Sequence, residues 1–389
     1  MKKEIHFTGG IKLLCVLAAG LFLLSACGKT EEESIEGAAA TMGSDTVEAD
    51  FAYQYVAESE NGYYFWERLS QNQWYPRLMF MDRESGRVVP LCSRPDCTHE
   101  GTEECNAYFR ETNRNGGGVD KLYLQYYEGN LYAVGLSEDA YVSLFRIKAD
   151  GSGEWEVSAR LYRTDYAATG EWKTPDVLIH GRYVYFTNRY QKIQKLERMP
   201  IDSGTPEVVF EGDGHASAVD IYRIKSKGGS LFFQVVSYWD DDPENLRAAA
   251  YRYDPTVGQC SLVMEGFHST FSVSDGFLYY SSSEGLCRYS IQDQTAEILV
   301  DQPMNVPTIT LTRDYIILCD QWEDGGTLTL YDYEGKKIAA VPNTLGMGWY
   351  FGGNSDMLFG ECWNEYRSLC FLDLKRPVKE LRWEELKEN

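Results

Sequence analysis

A short segment recurs seven times along this chain, and the recurrence limits the fold more than any other feature. Each copy is a run of apolar and aromatic residues that leads into a turn containing Asp or Gly. The copies lie at 78–86, 144–151, 196–204, 251–258, 286–293, 328–335 and 369–374. A period of about 40–50 residues is typical of β-propellers, in which each unit is one four-stranded blade.

Most copies follow a second pair of strands that has a tight turn of its own. Gly129-Asn130 and Asp275-Gly276 stand at two of these turns, and such residues favour the positive φ that a two-residue hairpin turn requires. Four strands in each of seven units predict an all-β protein, a β-propeller with seven four-stranded blades. Six or eight blades also fit, because the first and last units are the least regular. The predicted blades are 52–92, 121–163, 176–212, 217–266, 269–302, 308–343 and 347–385.

The N-terminus has the organisation of an export signal. Lys2 and Lys3 precede an apolar run at 13–24, which is too short to be a typical membrane-spanning helix. The sequence Leu-Ser-Ala-Cys at 24–27 resembles the lipobox of bacterial lipoproteins. The resemblance implies that residues 1–26 are a signal peptide and that Cys27 carries fatty acyl chains such as palmitate. These would hold the protein on the outer side of the cell membrane. The alternative is an ordinary secretory signal with an accidental cysteine.

Beyond the signal, the sequence predicts a tether and a folded body. Residues 27–50 have few large apolar side chains, so we expect a flexible acidic tether there. Residues 51–389 form the predicted propeller, with an insert at 92–120. Removal of the signal takes away three lysines and one glutamate and lowers the net charge from −22 to −24. A surface this acidic repels nucleic acid and anionic lipid, so the expected partners are the membrane through the lipid and an extracellular ligand or envelope protein.

The turn-and-strand rhythm of 52–385 resembles that of TolB-like and YWTD-like propellers in Gram-positive lipoproteins. The blades lack the repeated Trp-Asp signature of WD40 proteins. The segment 91–109 is also similar to a Pro-Asp-Cys-x-His segment of those lipoproteins. The resemblance implies a propeller fold and assigns no catalytic residue.

The insert contains four candidate metal ligands in the pattern C-x4-C-x-H-x5-C: Cys92, Cys97, His99 and Cys105. A tetrahedral Cys3His set suits a structural Zn(II), and a metal would supply a local core to a segment with little apolar content. A disulfide between two of the three cysteines is an alternative, and so is a coincidental cluster without any bond. Elsewhere, Cys362 and Cys370 could face each other across a hairpin.

Tryptophans beside acidic residues end four of the second strands. The candidate ligand-binding residues are Trp66, Trp239, Asp240, Trp322, Glu323 and Trp363. Loops between second and third strands share one face of a propeller, so we expect these side chains to form a rim. Aromatic faces with acidic neighbours suit a sugar or a cationic group. The alternative is that these tryptophans seal hairpin ends between blades.

No catalytic motif is evident, since the chain has no G-x-S-x-G nucleophile elbow. The sequence therefore predicts a cell-surface binding or interaction module without catalysis, for a carbohydrate or protein ligand. One alternative is an enzyme that acts on extracellular glycan through two carboxylates near the propeller axis. Another is an accessory subunit that docks on an envelope protein.

Overall fold

The computed structural model describes residues 56–67, 75–99, 105–110, 123–137, 139–164, 175–239, 242–267, 270–302, 308–319, 326–345, 347–351, 357–362 and 369–386. They belong to one compact unit, Met42–Asn389. The predicted signal peptide, Cys27 and the predicted tether lie outside the described residues.

The strands form seven four-stranded sheets, numbered here as blades 1 to 7. Blade 1 contains β1 (Val56–Glu58), β2 (Gly62–Glu67), β3 (Arg77–Asp82) and β4 (Val88–Pro90). Blade 2 contains β5 (Leu124–Tyr127), β6 (Asn130–Leu136), β7 (Tyr141–Lys148) and β8 (Glu156–Arg163). Blade 3 contains β9 (Val177–His180), β10 (Tyr183–Thr187), β11 (Lys195–Pro200) and β12 (Glu207–Glu211). Blade 4 contains β13 (Ala218–Lys227), β14 (Ser230–Trp239), β15 (Asp242–Asp254) and β16 (Gln259–Glu265).

The remaining blades follow the same order. Blade 5 contains β17 (Phe271–Ser274), β18 (Phe277–Ser282), β19 (Gly285–Ser290) and β20 (Thr295–Asp301). Blade 6 contains β21 (Thr308–Leu311), β22 (Ile316–Cys319), β23 (Thr327–Tyr331) and β24 (Lys337–Pro342). Blade 7 contains β25 (Met347–Phe351), β26 (Met357–Cys362), β27 (Leu369–Asp373) and β28 (Glu384–Glu385), with a 3-10 helix at Val378–Glu380 before β28. No helix in these ranges has the length and hydropathy needed to cross a membrane.

The prediction of a seven-bladed, all-β propeller is confirmed. Each blade is a run of four consecutive antiparallel strands. The first strands are innermost, as β9 and β17 are buried at every residue, whereas the fourth strands β12 and β20 are largely exposed. The predicted turn chemistry also holds, since Asp275 and Gly276 adopt φ values of 49° and 82° between β17 and β18.

Polar side chains connect the inner strands of neighbouring blades. The side-chain amide of Gln125 in β5 donates to the Ile179 carbonyl in β9 (2.9 Å) and accepts from the Ile179 N–H (2.8 Å). The ammonium of Lys225 in β13 donates to the Phe271 carbonyl and the Ser272 hydroxyl in β17. The Ser272 hydroxyl in turn donates to the Ile309 carbonyl in β21 (2.8 Å). These bonds satisfy buried backbone groups that no strand pairs.

Blade 7 is built from one continuous stretch of chain, because its outer strand β28 pairs with β27. A disulfide joins Cys362 and Cys370 across β26 and β27, with Cα atoms 6.2 Å apart. The apolar cluster between blades 7 and 1 contains Tyr63, Phe65 and Phe359. Contacts between side chains therefore close the ring where the first and last described strands meet.

Candidate functional site

The insert begins after β4 and returns along the start of β3. Tyr108 forms an isolated bridge with Arg77, and the Leu78 N–H donates to the Ala107 carbonyl (2.7 Å). The Phe109 N–H donates to the Pro76 carbonyl (3.2 Å). The segment 105–110 thus extends the sheet where β4 has ended.

Phe109 anchors the insert between blades 1 and 2. Its side chain is completely buried, with ring centroids 5.7 Å from Trp66, 5.5 Å from Phe145 and 4.8 Å from Trp155. Burial of an aromatic ring of this size stabilises a fold by about 1.5–3 kcal/mol. The described end of the insert is therefore packed into the propeller, although the sequence indicated little apolar content in the insert.

The four predicted metal ligands come together. The ligand atoms of Cys92, Cys97, His99 and Cys105 all lie within 4.8 Å of one another, and the Cys105 Sγ is 3.5 Å from the His99 Nδ1. Around a tetrahedral zinc with bonds of about 2.0–2.3 Å, ligand atoms are roughly 3.5–4 Å apart. The cluster can hold a metal ion with little rearrangement.

The surroundings shift the pKa values of two of the thiols in opposite directions. Burial raises the pKa of the Cys105 thiol to about 12. Burial also acts to raise the pKa of Cys92, but the backbone amides of Arg94 and Asn106 and the two neighbouring thiols outweigh it and lower this pKa. Hydrogen bonds to a sulfur stabilise the thiolate, which is the form that binds metals.

The backbone of His99 is held in place by buried neighbours. His99 has a φ of 58°, which is uncommon for a residue other than glycine. Its carbonyl accepts hydrogen bonds from the Tyr108 hydroxyl (2.9 Å) and from the Arg77 guanidinium (3.4 Å). Arg77 is also paired with Glu67 at 2.6 Å. Such contacts orient metal ligands from outside the coordination sphere.

Gly151 in the β7–β8 turn of blade 2 lies directly against the insert. Its carbonyl accepts from the Ser93 N–H and hydroxyl and from the Asn106 side chain, at 3.2–3.3 Å. Its φ is +74°, and a Cβ at this position would lie 3.0 Å from the Cys92 nitrogen. The close approach therefore requires glycine.

Part of the predicted tryptophan rim lies outside the described residues, namely Asp240, Trp322, Glu323 and Trp363. Trp66 is only 5% exposed and packs against Trp155 at 5.8 Å. Its ring seals the interface of blades 1 and 2 and offers no face to a ligand. Trp239 is half-buried, with the Arg247 guanidinium 5.3 Å from its ring centroid.

The structure also contains a second polar cluster that the sequence did not predict. We name Tyr162, Asp176, Arg189, Asp220 and Tyr222 the blade 3–4 cluster. The Tyr222 hydroxyl donates to the Asp220 carboxylate (2.7 Å), which also accepts from Gln194 (2.7 Å). The Arg189 guanidinium lies 5.3 Å from the Tyr222 ring centroid and 3.7 Å from the buried Asp176 carboxylate. The sequence gives one hint of this cluster: an acidic residue lies just before the inner strand β9 and another lies within the inner strand β13.

The tyrosines of the blade 3–4 cluster are held protonated. Burial, and next the Asp220 carboxylate, raise the pKa of Tyr222. Burial also raises the pKa of Tyr162, and Tyr190 and Asp176 add to the effect. Both phenols can therefore donate a proton in a hydrogen bond at neutral pH.

No family model and no curated protein sequence matches this chain. Among solved structures, it is similar to a puromycin-hydrolyzing peptidase of Mycobacterium tuberculosis, with a TM-score of 0.56 and 12% identity over 86% of this chain and 52% of that one. A puromycin hydrolase variant gives a TM-score of 0.55 and 11% identity, over 88% and 53%. A prolyl endopeptidase gives a TM-score of 0.53 and 11% identity, over 88% and 49%. The likeness is one of fold. The chain spans about half the length of these enzymes.

These comparisons correct the predicted function. The sequence predicted a binding module without catalysis, yet the three solved structures named above, which have a similar fold, are enzymes. That prediction was wrong, and the alternative of an enzyme on a propeller scaffold is better supported. The propeller part of the stated resemblance is confirmed, whereas the lipoprotein part stays a prediction.

Proposed function

We propose that Cys92, Cys97, His99 and Cys105 bind one structural Zn²⁺ that fastens the insert to blades 1 and 2. The observation that carries the proposal is the convergence of four ligand atoms within 4.8 Å. Four protein ligands leave no open position for a substrate, which makes the role structural. The three cysteines are free thiols in a chain that forms a disulfide at Cys362–Cys370, and this favours a metal over a second bridge.

Elemental analysis of the purified protein, with a count of free thiols, tests the zinc site. We expect about one zinc per chain, and its loss in Cys105→Ser. The matched control is Cys260→Ser, because Cys260 is a half-buried free thiol in the outer strand β16, and this variant should keep the metal. The Cys362–Cys370 bridge leaves six free thiols in the described residues. Absence of zinc together with two thiols fewer than these six would instead establish a disulfide in the insert.

We propose further that the propeller serves an enzyme reaction on extracellular glycan. The fold it shares with enzymes supports this role, and so do two carboxylates on neighbouring inner strands. Asp176 immediately precedes β9, and Asp220 lies in β13 beside Tyr222. Glycan hydrolysis uses carboxyl groups as acid and base, and Asp220 is the half-buried one of these two.

To test this role, the mature protein is incubated with neutral and acidic oligosaccharides and with peptides, and the products are identified by mass spectrometry. We expect cleavage of an oligosaccharide and a loss of at least about 100-fold in Asp220→Asn, in line with removal of an acid–base group. The control Asp254→Asn changes an exposed turn residue of the same blade and should keep the activity. Cleavage of peptides alone would refute the glycan role, and so would no turnover of any substrate.

We also propose that Cys27 is lipidated and anchors the protein outside the cytoplasm. The proposal rests on the Leu-Ser-Ala-Cys sequence at 24–27. Metabolic labelling with a fatty-acid analogue should mark the wild-type protein in the membrane fraction. Cys27→Ala should abolish the label and leave the protein unanchored, whereas a label that persists in this variant would contradict the assignment.

A further inference from the structure

The blade 3–4 cluster lies at one end of the propeller, where first and third strands begin and second and fourth strands end. Asp176 precedes β9, Arg189 follows β10, and Asp220 is close to the start of β13. Tyr162 is the penultimate residue of β8. Three consecutive blades therefore supply a cation, two carboxylates and two phenols to one place.

Tyr162 gives an independent reason to expect a ligand. The side chain is 92% buried, being 8% exposed, and its hydroxyl makes no hydrogen bond within the described part of the chain. The Tyr162 ring lies 6.2 Å from the ring of Tyr190, the residue that follows Arg189 in the chain. An unsatisfied buried hydroxyl costs about 1–3 kcal/mol, which a ligand that bonds to it would recover.

The charges of the cluster determine which ligand fits. One guanidinium and two carboxylates leave the site close to neutral, with a small excess of negative charge. A net charge of −22 on the whole chain disfavours an anionic polymer. The Arg189 guanidinium already pairs with the Asp176 carboxylate at 3.7 Å and offsets much of the negative charge that a cationic ligand would need. Alternating donors and acceptors between aromatic rings suit a neutral molecule with many hydroxyl groups.

We propose that the blade 3–4 cluster is the substrate-binding site of the glycan reaction and that it binds a neutral sugar. The inference rests on the proposed enzymatic role and adds the substrate class and the place of binding. Asp220, which is half-buried, accepts hydrogen bonds from sugar hydroxyls, and the buried Asp176 pairs with Arg189 behind it. Arg189 and Tyr162 donate hydrogen bonds to the sugar, and the faces of Tyr222 and Tyr190 pack against the sugar ring. Tyr190 is half-buried and lies 6.2 Å from Tyr162 between ring centroids.

The site can be tested in the mature protein by isothermal titration calorimetry and saturation-transfer NMR. The ligands are cellohexaose, xylohexaose, chitohexaose and hexagalacturonate. We expect one of the neutral hexasaccharides to bind and hexagalacturonate not to bind. Tyr222→Phe and Arg189→Gln should each weaken binding at least about 10-fold. The matched controls are Tyr251→Phe, a half-buried tyrosine of blade 4, and Arg198→Gln, whose guanidinium lies over Tyr183 in blade 3. Both should bind as the wild type does.

Binding and turnover separate the two proposals. Neutral-sugar binding that the cluster variants weaken, without turnover, supports the site and refutes the enzymatic role. Turnover that survives in Tyr222→Phe and Arg189→Gln refutes the site and keeps the enzymatic role. Binding of hexagalacturonate in preference to neutral sugars, or no binding of any of the four, overturns the inference. Thermal unfolding of each variant confirms that a loss of binding is not a loss of fold.

Discussion

The ring of Tyr63 in blade 1 packs against the ring of Phe359 in blade 7, with centroids 5.3 Å apart. Both side chains are almost completely buried. Met79 and Met81 from β3 complete the same cluster. Because β28 fills the outer position of blade 7, this interface depends on side-chain packing.

Phe359→Ala should therefore weaken the junction between blades 7 and 1. We expect a loss of about 3–5 kcal/mol in the free energy of unfolding, because the change leaves a cavity in a packed core. Urea denaturation measures the loss. Val208→Ala, in the outer strand β12 where Val208 is 51% exposed, should change the stability by no more than about 0.5 kcal/mol. A loss below about 1 kcal/mol in Phe359→Ala would show that the ring closes by other contacts.

Gln125→Leu tests the polar link between blades 2 and 3. The side-chain amide of Gln125 satisfies both the N–H and the carbonyl of Ile179, and its removal leaves these two buried groups without that partner. At about 1–3 kcal/mol for each of the two groups, we expect a loss of about 2–6 kcal/mol in the free energy of unfolding, measured by urea denaturation. Gln259→Leu, at an exposed position of β16, is the control. Equal stabilities of the two variants would mean that water replaces the amide.

The fold was predictable from the sequence because its determinants are local. Turn residues such as Asp275-Gly276 and the recurring apolar runs mark each blade within about ten residues. The predicted last blade, 347–385, coincides with β25 to β28. The metal ligands were predictable for the same reason, since fourteen residues contain all four.

What the sequence did not reveal depends on contacts between blades. Phe109 packs against residues of blade 2 that follow it by more than thirty positions. The blade 3–4 cluster draws on residues from Tyr162 to Tyr222, which share no spacing in the sequence. The sequence left open whether Trp66 faces a ligand or seals a hairpin end between blades, because its contact with Trp155 depends on the neighbouring blade.

His180 should make stability depend on pH. Burial lowers the pKa of His180, and its Nδ1 lies 2.8 Å from the Ser226 hydroxyl. The folded chain takes up this proton at a lower pH than the unfolded chain. The contribution of His180 to the free energy of unfolding is therefore complete above the usual histidine pKa of about 6.5. It is lost as the pH falls from there towards the pKa of the folded state. Urea denaturation between pH 7.5 and 5 should give a flatter profile for His180→Gln than for the wild type. His215→Gln, at an exposed turn, should keep the wild-type slope. Parallel profiles for all three would contradict the assignment.

Gly151→Ala and Gly153→Ala separate backbone strain from close packing at the insert. Both glycines have positive φ, at +74° and +84°, but only at Gly151 would a Cβ meet the backbone of Leu91 and Cys92. We expect Gly153→Ala to lose about 1–2 kcal/mol from the left-handed backbone alone. Gly151→Ala should lose at least about 1 kcal/mol more and should bind zinc more weakly, because the Cys92 backbone has to move. Urea denaturation before and after treatment with a chelator measures both effects. Equal losses in the two variants, with unchanged zinc affinity, would show that the insert does not depend on the turn of blade 2.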